Sequence, residues 1–344
     1  MPDLQIRKDG RAGRITLTRP RVLNALSWDM CRQIDAALVG WAEDPAVALV
    51  LIDAEGERAF CAGGDIQEVY DAGLRRDFRY GQEFWRDEYR MNARLFDYPK
   101  PVVSFLHGFT MGGGVGLGCH AAHRIVCDSS RIAMPEVTIG LVPDVGGSLI
   151  LARAPGRLGE FLGLTGHRMG PGDAILAGFA DHFIPDADWE ALKTTLCATG
   201  DPQAIAQAAQ APPEAPLAAW QADIDAVFCG ATLGDIHRAL PAPRPEPIAH
   251  AEALMARNSP LAMAVALDLI RKVRLAGTIR AALEHEYRYT ARSMEHGDVL
   301  EGIRARIIDR RSAPVWQHPG WHALSDADIL RFSAPVTDPR LTFD

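Results

Sequence analysis

Short β-prone runs and one longer helical pattern occupy the start of the chain. Residues 4–7 and 14–18 are such runs, and they flank a turn signal at residues 9–10, which predicts an antiparallel strand pair. Residues 24–42 then place apolar side chains at helical spacing, with Ser27 as the N-cap. The pattern therefore predicts two strands followed by a helix.

The pattern continues as strands that lead into helices. Residues 48–53 form a nearly continuous apolar run, which is typical of a strand buried on both faces. A charged helical stretch at 77–96 precedes an apolar strand at 102–106, which leads through a glycine run into a helix at 115–122. The recurring order β, β, α predicts an α/β core of repeated units.

Helical patterns dominate the last third of the chain. Residues 200–247 are rich in Ala, Pro and Gln, which indicates a partly helical connector. Ser259 is the predicted N-cap of a helix that stops at Gly277, a second helix is predicted at 278–296, and a capping-box pattern opens a third at 298–309. We therefore divide the chain into a core, a connector and a helical C-terminal region, at residues 1–199, 200–247 and 248–344.

Composition and charge indicate a protein with a large core whose main partner is not nucleic acid. The chain has 344 residues, 48% of them hydrophobic, which suits one large domain or two smaller ones. Its 36 basic and 44 acidic residues give a net charge of −8, which argues against nucleic acid as the main partner. No apolar run approaches the ~20 residues that span a bilayer, and residues 1–4 do not resemble a secretory leader. We therefore expect a cytoplasmic protein without a membrane partner.

Cysteine spacing argues against a disulfide framework. The six cysteines lack paired spacing, which predicts free thiols in a reducing compartment: Cys31, Cys61, Cys119, Cys127, Cys197 and Cys229. Cys119, His120 and His123 offer metal-ligating atoms, but no further ligands cluster with them in the sequence, so we expect no metal.

Two glycine-bearing loops are the candidate chemical features of the first half. Residues 62–65 and 112–114 each follow a predicted strand and lead into a helix, so each offers backbone N–H groups. Glycine inside a helix costs roughly 0.5–1 kcal/mol relative to alanine, so Gly116 and Gly118 indicate that another group approaches the backbone closely. Two donors converging on one oxygen would form an oxyanion hole. The alternative is a glycine turn that serves tight packing alone.

An ordered series of motifs resembles the crotonase (enoyl-CoA hydratase/isomerase) superfamily. The series comprises residues 59–66, 107–108, 112–114, 134–136 and 140–143. The resemblance implies a crotonase-like spiral of repeated β-β-α units with a mainly helical C-terminal region, and an acyl-CoA as substrate. It also implies that the backbone amides of Gly64 and Gly113 polarise the thioester carbonyl.

The carboxylates indicate a subgroup of that superfamily. Hydratases of the family carry two glutamates, and the position of the first holds Gly116 here, which cannot transfer a proton. Glu136 matches the second glutamate, and Asp144 lies in a segment that resembles the 3-hydroxyisobutyryl-CoA hydrolases. Further motifs shared with that subgroup are residues 87–89, 164–168, 286–288, 297–298 and 301–305.

The resemblance implies a thioester hydrolase that releases 3-hydroxyisobutyrate and CoA, a reaction of valine catabolism. Glu136 is the expected nucleophile or general base, while Asp144 and Glu88 are expected to position the substrate hydroxyl and the departing group. The alternatives without a catalytic role are a surface-loop carboxylate for Glu136, a turn former for Asp144 and a solvated helix face for Glu88. Because CoA is part of the substrate, we expect no separate cofactor.

The remaining expected contacts surround the first glycine loop. The resemblance implies substrate binding by Ala62, Asp65, Ile66, Ala25, Leu26 and Arg21. Asp65 also suits a structural role at a helix start, and Arg21 also suits a solvated basic turn.

The sequence can also be compared with four other classes of protein. Residues 116–121 formally fit a dinucleotide fingerprint, but the first glycine does not lie at the end of the predicted strand, and no P-loop lysine follows either glycine loop. An isomerase or hydratase of the same superfamily, using Glu136, stays an alternative, as does a non-catalytic acyl-CoA-binding relative. The superfamily commonly forms homo-oligomers, but the extended C-terminal region leaves the oligomeric state of this chain open.

Overall fold

Over residues 2–343, the part of the chain that the computed structural model describes, the strands form two sheets. The strands are β1 (Leu4–Asp9), β2 (Ala12–Leu17), β3 (Leu49–Ala54), β4 (Ala59–Cys61), β5 (Val102–Leu106), β6 (Phe109–Met111), β7 (His123–Val126), β8 (Arg131–Ala133) and β9 (His182–Phe183). One sheet has the order β1-β2-β3-β5-β7-β9 and the other β4-β6-β8. β1 and β2 pair antiparallel, whereas the other pairings are parallel.

Helices account for most of the remaining chain. They are α1 (Trp28–Ala42), α2 (Gln67–Leu74), α3 (Phe78–Phe96), α4 (Gly113–Gly118), α5 (Gly147–Arg153), α6 (Leu158–Thr165), α7 (Pro171–Leu176), α8 (Trp189–Thr199), α9 (Gln203–Ala208), α10 (Pro216–Phe228), α11 (Leu233–Arg238), α12 (Glu246–Met255), α13 (Pro260–Ala276), α14 (Ile279–His296), α15 (Val299–Ile303) and α16 (Asp326–Leu330). Short 3₁₀ turns lie at Pro20–Val22, Glu136–Ile139, Asp186–Asp188 and Trp321–Ala323, and a π-helical turn at Arg304–Ile308.

Successive strands alternate between the two sheets. β3, β5 and β7 lie side by side in the first sheet, and β4, β6 and β8, which follow each of them in the chain, form the second. A helical segment follows each pair, so the expected repeated β-β-α unit and the α/β class are confirmed. Parallel strands need such crossovers, because the end of one strand and the beginning of the next lie at opposite edges of the sheet.

The chain forms two compact units whose segments alternate along the sequence. The first unit contains the chain up to Gly64 together with Arg90–Ala133 and Arg168–Pro216, and it holds both sheets. The second contains Asp65–Tyr89, Met134–His167 and the chain from Leu217 onward, and it is mainly helical. The domain boundaries proposed at residues 199 and 247 stay a prediction.

The core of the first unit lies between its larger sheet and α8. Leu49 and Leu51 of β3 and Phe105 of β5 point to one face of that sheet, since side chains two residues apart share a face. Trp189 and Leu196 pack against this face from α8, where their spacing places them on one side of the helix. Burial of these side chains fixes how the helix covers the sheet.

Several predicted elements are confirmed with small shifts of their ends. The first two strands form the predicted antiparallel hairpin, and β5 occupies residues 102–106 as predicted. The hydroxyl of Ser27 accepts a hydrogen bond from the N–H of Met30 and caps α1. Ser259 likewise caps α13, which ends at Gly277 in a left-handed conformation.

Two helix predictions are wrong in detail. The helix after the second glycine loop covers Gly113–Gly118 rather than residues 115–122, because its glycines lie inside the helix. The capping box predicted at residues 298–309 does not form, because the carboxylate of Asp298 binds the hydroxyl of Ser259 and the N–H of Gln317 instead. The helix there is α15, and it continues as the π-helical turn.

We predict that adding one methyl group to α6 destabilises the fold, whereas the same addition to α1 does not. A Cβ at Gly159 would overlap the carbonyl oxygen of Leu151, so Gly159→Ala is expected to lower the free energy of unfolding by about 1–3 kcal/mol. A Cβ at Gly40 meets no atom within 4 Å, so Gly40→Ala is expected to raise it by up to about 1 kcal/mol. Urea denaturation followed by circular dichroism measures both changes. Equal effects of the two substitutions would contradict the packing described at Gly159.

Candidate active site

The two glycine loops meet in the first unit. Each follows a strand of the smaller sheet, β4 or β6, and because these strands are parallel neighbours their carboxyl ends lie side by side. A Cβ on Gly114 would overlap the carbonyl oxygen of Cys61, and one on Gly63 would lie 3.4 Å from the carbonyl oxygen of Met111. Glycine at position 114 is therefore required by close approach of the two backbones.

The two proposed donors lie within these loops. Gly113 is the first residue of α4, so its N–H lies outside the helix's own hydrogen-bond ladder. Gly64 forms a bridge with Leu26, and the N–H of Leu26 donates to the carbonyl of Gly63 over 2.9 Å. Binding of an oxyanion by Gly64 and Gly113 stays a prediction.

The residues that are expected to bind substrate near the first glycine loop differ in their exposure to solvent. Leu26 is fully buried and Ala25 is half-buried, whereas Arg21 is exposed at the 3₁₀ turn. Ala62 donates its N–H to the carbonyl of Leu23 over 3.0 Å. The guanidinium of Arg19 turns back and donates to the carbonyl of Ala25 over 2.8 Å, so of the two arginines Arg21 is the exposed cation of this segment.

Asp65 and Ile66 begin the second unit's first segment. Ile66 is the residue before α2, and both residues are half-buried. The structural role at a helix start that was weighed for Asp65 matches this position. Their contact with substrate stays a prediction.

The three carboxylates expected from the sequence are all buried in the second unit. Glu136 begins the 3₁₀ turn Glu136–Ile139, Asp144 precedes α5, and Glu88 lies on α3. Their exposed fractions are 5%, 4% and 3%, respectively. A solvated helix face for Glu88 and a surface loop for Glu136 are therefore wrong.

Burial and mutual repulsion hold these carboxyl groups protonated to unusually high pH. Burial raises the pKa of Glu136 well above its ordinary value, and the neighbouring charge of Asp144 raises it further. The pKa of Glu88 is raised for the same two reasons, and burial also raises that of Asp144. Among residues 2–343, the buried Oε2 of Glu136 and Oε1 of Glu88 have no hydrogen-bond partner. Carboxyl groups in this state suit proton transfer near neutral pH.

Tyr89 is a member of this cluster whose role sequence reasoning missed. Its hydroxyl donates to Oδ2 of Asp144 over 2.8 Å and lies 3.2 Å from Oγ1 of Thr290. A hydrogen bond to the charged form lowers the pKa of Asp144, in opposition to burial. Tyr89 belongs to the motif at residues 87–89, but the neighbouring sequence does not indicate that its hydroxyl binds a residue 55 positions away.

A fourth buried carboxylate reaches the same segment from α14. Glu286 is fully buried and accepts hydrogen bonds from the N–H groups of Gly146, over 2.8 Å, and Ser148, over 3.2 Å, as well as from the Ser148 hydroxyl. Burial raises its pKa to about 8, although these hydrogen bonds act to lower it. The sequence places Glu286 in a motif that resembles the hydrolase subgroup, but it does not indicate what this side chain does.

Other predicted features of the chain can be placed. All six cysteines are free thiols, as expected. Gly116, which the resemblance matches to a glutamate of the hydratases, is buried inside α4. Within residues 2–343, no group of three or more His, Cys, Asp or Glu side chains is arranged to hold a metal ion.

The chain belongs to the enoyl-CoA hydratase/isomerase family, whose model, described as Enoyl-CoA hydratase/isomerase, matches residues 12–332. The family membership expected from the motifs is thereby confirmed. A protein of Arabidopsis thaliana named probable 3-hydroxyisobutyryl-CoA hydrolase 3 is 35% identical over 94% of this chain and 89% of its own. The mitochondrial 3-hydroxyisobutyryl-CoA hydrolase of Xenopus laevis is 37% identical over 90% of this chain and 83% of its own.

Solved structures of similar proteins share the fold over almost the whole chain. An enoyl-CoA hydratase from Rhodobacter sphaeroides is 52% identical, with a TM-score of 0.94 over 99% of this chain and 100% of that one. A carnitinyl-CoA dehydratase from Mycobacterium thermoresistibile is 39% identical, with a TM-score of 0.95 over 100% of this chain and 99% of that one. Over residues 2–343, no helix is long and apolar enough to cross a membrane.

We predict that neutralising Glu136 makes the free energy of unfolding less dependent on pH. Because the folded-state pKa is raised, the folded protein binds more protons than the unfolded chain above the unfolded pKa of about 4.3. The free energy of unfolding therefore falls as the pH rises. The stability of Glu136→Gln relative to wild type is expected to increase by about 1 kcal/mol or more between about pH 5 and pH 8.

Urea titrations at the two pH values measure this difference, and any constant effect of the amide cancels from it. Glu284→Gln is the matched control, because Glu284 is an exposed carboxylate that lies on α14. A parallel pH dependence of Glu136→Gln and wild type would show that Glu136 is not a carboxyl of raised pKa.

We predict that removing the Tyr89 hydroxyl raises the pKa of Asp144. Tyr89→Phe deletes the hydrogen bond that favours the ionised carboxylate, so the midpoint of the titration is expected to rise by about one unit. Carboxyl ¹³C NMR, with Asp144→Asn to assign the signal, measures the shift. Tyr287→Phe is the control, because that buried hydroxyl donates to the carbonyls of Gln82 and Pro339 rather than to a carboxylate. An unchanged midpoint in Tyr89→Phe would refute the role assigned to this hydrogen bond.

Proposed function

We propose that the protein hydrolyses a short 3-hydroxyacyl-CoA thioester, 3-hydroxyisobutyryl-CoA in the first instance, to the free hydroxy acid and CoA. The observation that carries this proposal is the group of buried carboxyls around Glu136 and Asp144, with pKa values raised by burial and by repulsion. The relatives named 3-hydroxyisobutyryl-CoA hydrolase support the substrate, since they match this chain over 90% or more of its length.

Thioester hydrolysis needs a site for the oxyanion and a carboxylate that attacks carbon or activates water. The first requirement is assigned to the amides of Gly64 and Gly113, each donor being worth roughly 2.7–4 kcal/mol in comparable enzymes. The second is assigned to Glu136, because a carboxylate of raised pKa is a stronger base and its Oε2 has no hydrogen-bond partner among the described residues. Either water loses a proton to Glu136 as it attacks, or Glu136 itself attacks and water resolves the anhydride.

The neighbouring carboxyls are assigned to the rest of the substrate. Neighbouring buried carboxyl groups do not readily ionise together. An ionised carboxylate can accept from the substrate hydroxyl, and a protonated carboxyl can donate to the departing thiolate. Asp144 and Glu88 are proposed for these roles, and Ala62, Asp65, Ile66, Ala25, Leu26 and Arg21 for the remaining contacts with acyl-CoA.

A hydratase is the second candidate, because the Rhodobacter sphaeroides structure that is 52% identical to this chain bears the name enoyl-CoA hydratase. Hydration adds water across a carbon–carbon double bond and leaves the thioester intact. The family's hydratases use two glutamates for this reaction, and Gly116 occupies the position of one of them here. That absence favours hydrolysis.

The place of the reaction is also proposed from sequence and relatives. We infer a role in valine degradation, because 3-hydroxyisobutyryl-CoA is an intermediate of that route. The cytoplasm is the compartment expected from the sequence, while the Xenopus laevis relative is named mitochondrial. The resemblance leaves the choice between a monomer and a homo-oligomer open, and light scattering on the purified protein would decide it.

We predict that purified protein releases free thiol from 3-hydroxyisobutyryl-CoA and leaves the enoyl absorbance of crotonyl-CoA unchanged. Glu136→Gln is expected to lower kcat for thiol release by at least about 100-fold, since the amide can neither accept the proton nor attack. The exposed Glu284→Gln is expected to retain wild-type kcat.

The two assays separate the candidate functions. Loss of enoyl absorbance without thiol release would identify a hydratase and overturn the proposal. Binding of acyl-CoA without either reaction would identify a non-catalytic relative. Near wild-type thiol release by Glu136→Gln would leave hydrolysis standing and remove Glu136 from the mechanism.

A further inference from the structure

The turn that carries Asp144 has a backbone conformation that needs support. Val145 has φ +54° and Gly146 has φ +78°, so two successive residues are left-handed. Glycine adopts this conformation freely, but for a β-branched residue such as valine it is an outlier that costs of order 1–3 kcal/mol. Such a conformation persists only where surrounding contacts hold it.

Glu286 supplies those contacts. Its two carboxylate oxygens accept from the N–H of Gly146, the N–H of Ser148 and the Ser148 hydroxyl, so they bind the turn on the C-terminal side of Asp144. The three donors lie at the beginning of α5. Three hydrogen bonds to one side chain restrict the turn more than a single contact does.

The same helix supports the other side of Asp144. One turn after Glu286, Thr290 places its Oγ1 3.2 Å from the Tyr89 hydroxyl, which donates to Asp144 Oδ2 over 2.8 Å. The carboxyl group of Asp144 is thus fixed by Tyr89, and the backbone that carries it is fixed by Glu286. Both sets of contacts depend on α14.

A role in packing alone does not explain a carboxylate at this position. Glu286 is fully buried beside other acidic groups, and burial of an ionisable side chain among like charges is costly compared with an amide or an apolar residue of similar size. The hydrogen bonds made by its carboxyl group lie entirely on the turn that carries Asp144. The cost is therefore associated with the geometry of that turn.

We propose that Glu286 is a positioning residue: its carboxyl group holds the turn at residues 144–148, and thereby Asp144, in the geometry that the acyl-CoA reaction requires. This inference rests on the proposed function. It assigns Glu286 no contact with substrate, so its effect on the reaction passes through Asp144.

A double-mutant cycle tests this assignment. Glu286→Gln is expected to lower kcat about 10- to 100-fold while KM changes less than about 3-fold, because one of the two carboxyl oxygens that bind the turn is replaced by an NH₂ group that cannot accept. In the Asp144→Asn background the same substitution is expected to lower kcat less than about 3-fold further. Glu284→Gln, an exposed change on the same helix, is expected to leave kcat unaltered in both backgrounds. Equal losses from Glu286→Gln in the two backgrounds would overturn the proposal.

Hydrogen exchange supplies a measurement that does not depend on activity. The amides of Gly146 and Ser148 are expected to exchange at least about 10-fold faster in Glu286→Gln than in wild type, whereas other amides of α5 keep their protection. Faster exchange with unchanged kcat would also overturn the proposal, because the turn would then be loosened without consequence.

Ser148→Ala is the second variant, for use if Glu286→Gln does not fold. It removes one donor and leaves both backbone N–H groups, so a kcat loss of about 3- to 10-fold is expected, again only when Asp144 is present. If wild type releases no thiol from 3-hydroxyisobutyryl-CoA but consumes crotonyl-CoA, the proposed hydrolase function fails. The same double-mutant cycle, measured with crotonyl-CoA, then tests the role of Glu286 independently of that function. Activity on neither substrate would overturn both.

Discussion

The constraint on which the second unit depends is the burial of several carboxyl groups together. Glu88, Glu136, Asp144 and Glu286 are each 5% exposed or less. Burial among like charges destabilises the ionised forms, so their pKa values lie above the ordinary range. Only strong packing around the cluster can maintain such an arrangement, because the folded state is stable by a small margin.

Helix α14 provides much of that support. Glu286 binds the turn after Asp144, Thr290 lies beside Tyr89, and the Tyr289 hydroxyl donates to the carbonyl of Gly140 over 2.9 Å. Gly140 ends the 3₁₀ turn that begins with Glu136. A single helix therefore fixes the backbone around both carboxylates that are proposed to act on the substrate. This explains in physical terms why a helical C-terminal region matters for chemistry assigned to residues of the first half.

The first unit follows a different constraint, the close approach of two backbones. Strands β4 and β6 are parallel neighbours, and the loops that leave them come so near that Gly114 has no room for a side chain against Cys61. Glycine inside a short helix is unfavourable in isolation, but here it allows the loops to pack. The glycine signature therefore reports a packing requirement as well as the oxyanion site proposed at Gly64 and Gly113.

The sequence alone determined many of the secondary-structure elements, the family and the candidate catalytic carboxylates. Local signals that act within a few residues, such as the turn at residues 9–10, the Ser27 cap and the apolar run of β5, predict elements that the structure contains. The motif order also indicates the family and points to Glu136, Asp144 and Glu88. Roles that depend on distant partners were decided by the tertiary structure, because Tyr89 and Asp144 are 55 residues apart and Gly146 and Glu286 are 140 apart. The failed capping box at Asp298 has the same cause, since a partner brought close by folding, Ser259, competes for a side chain whose sequence neighbours suggest a local role.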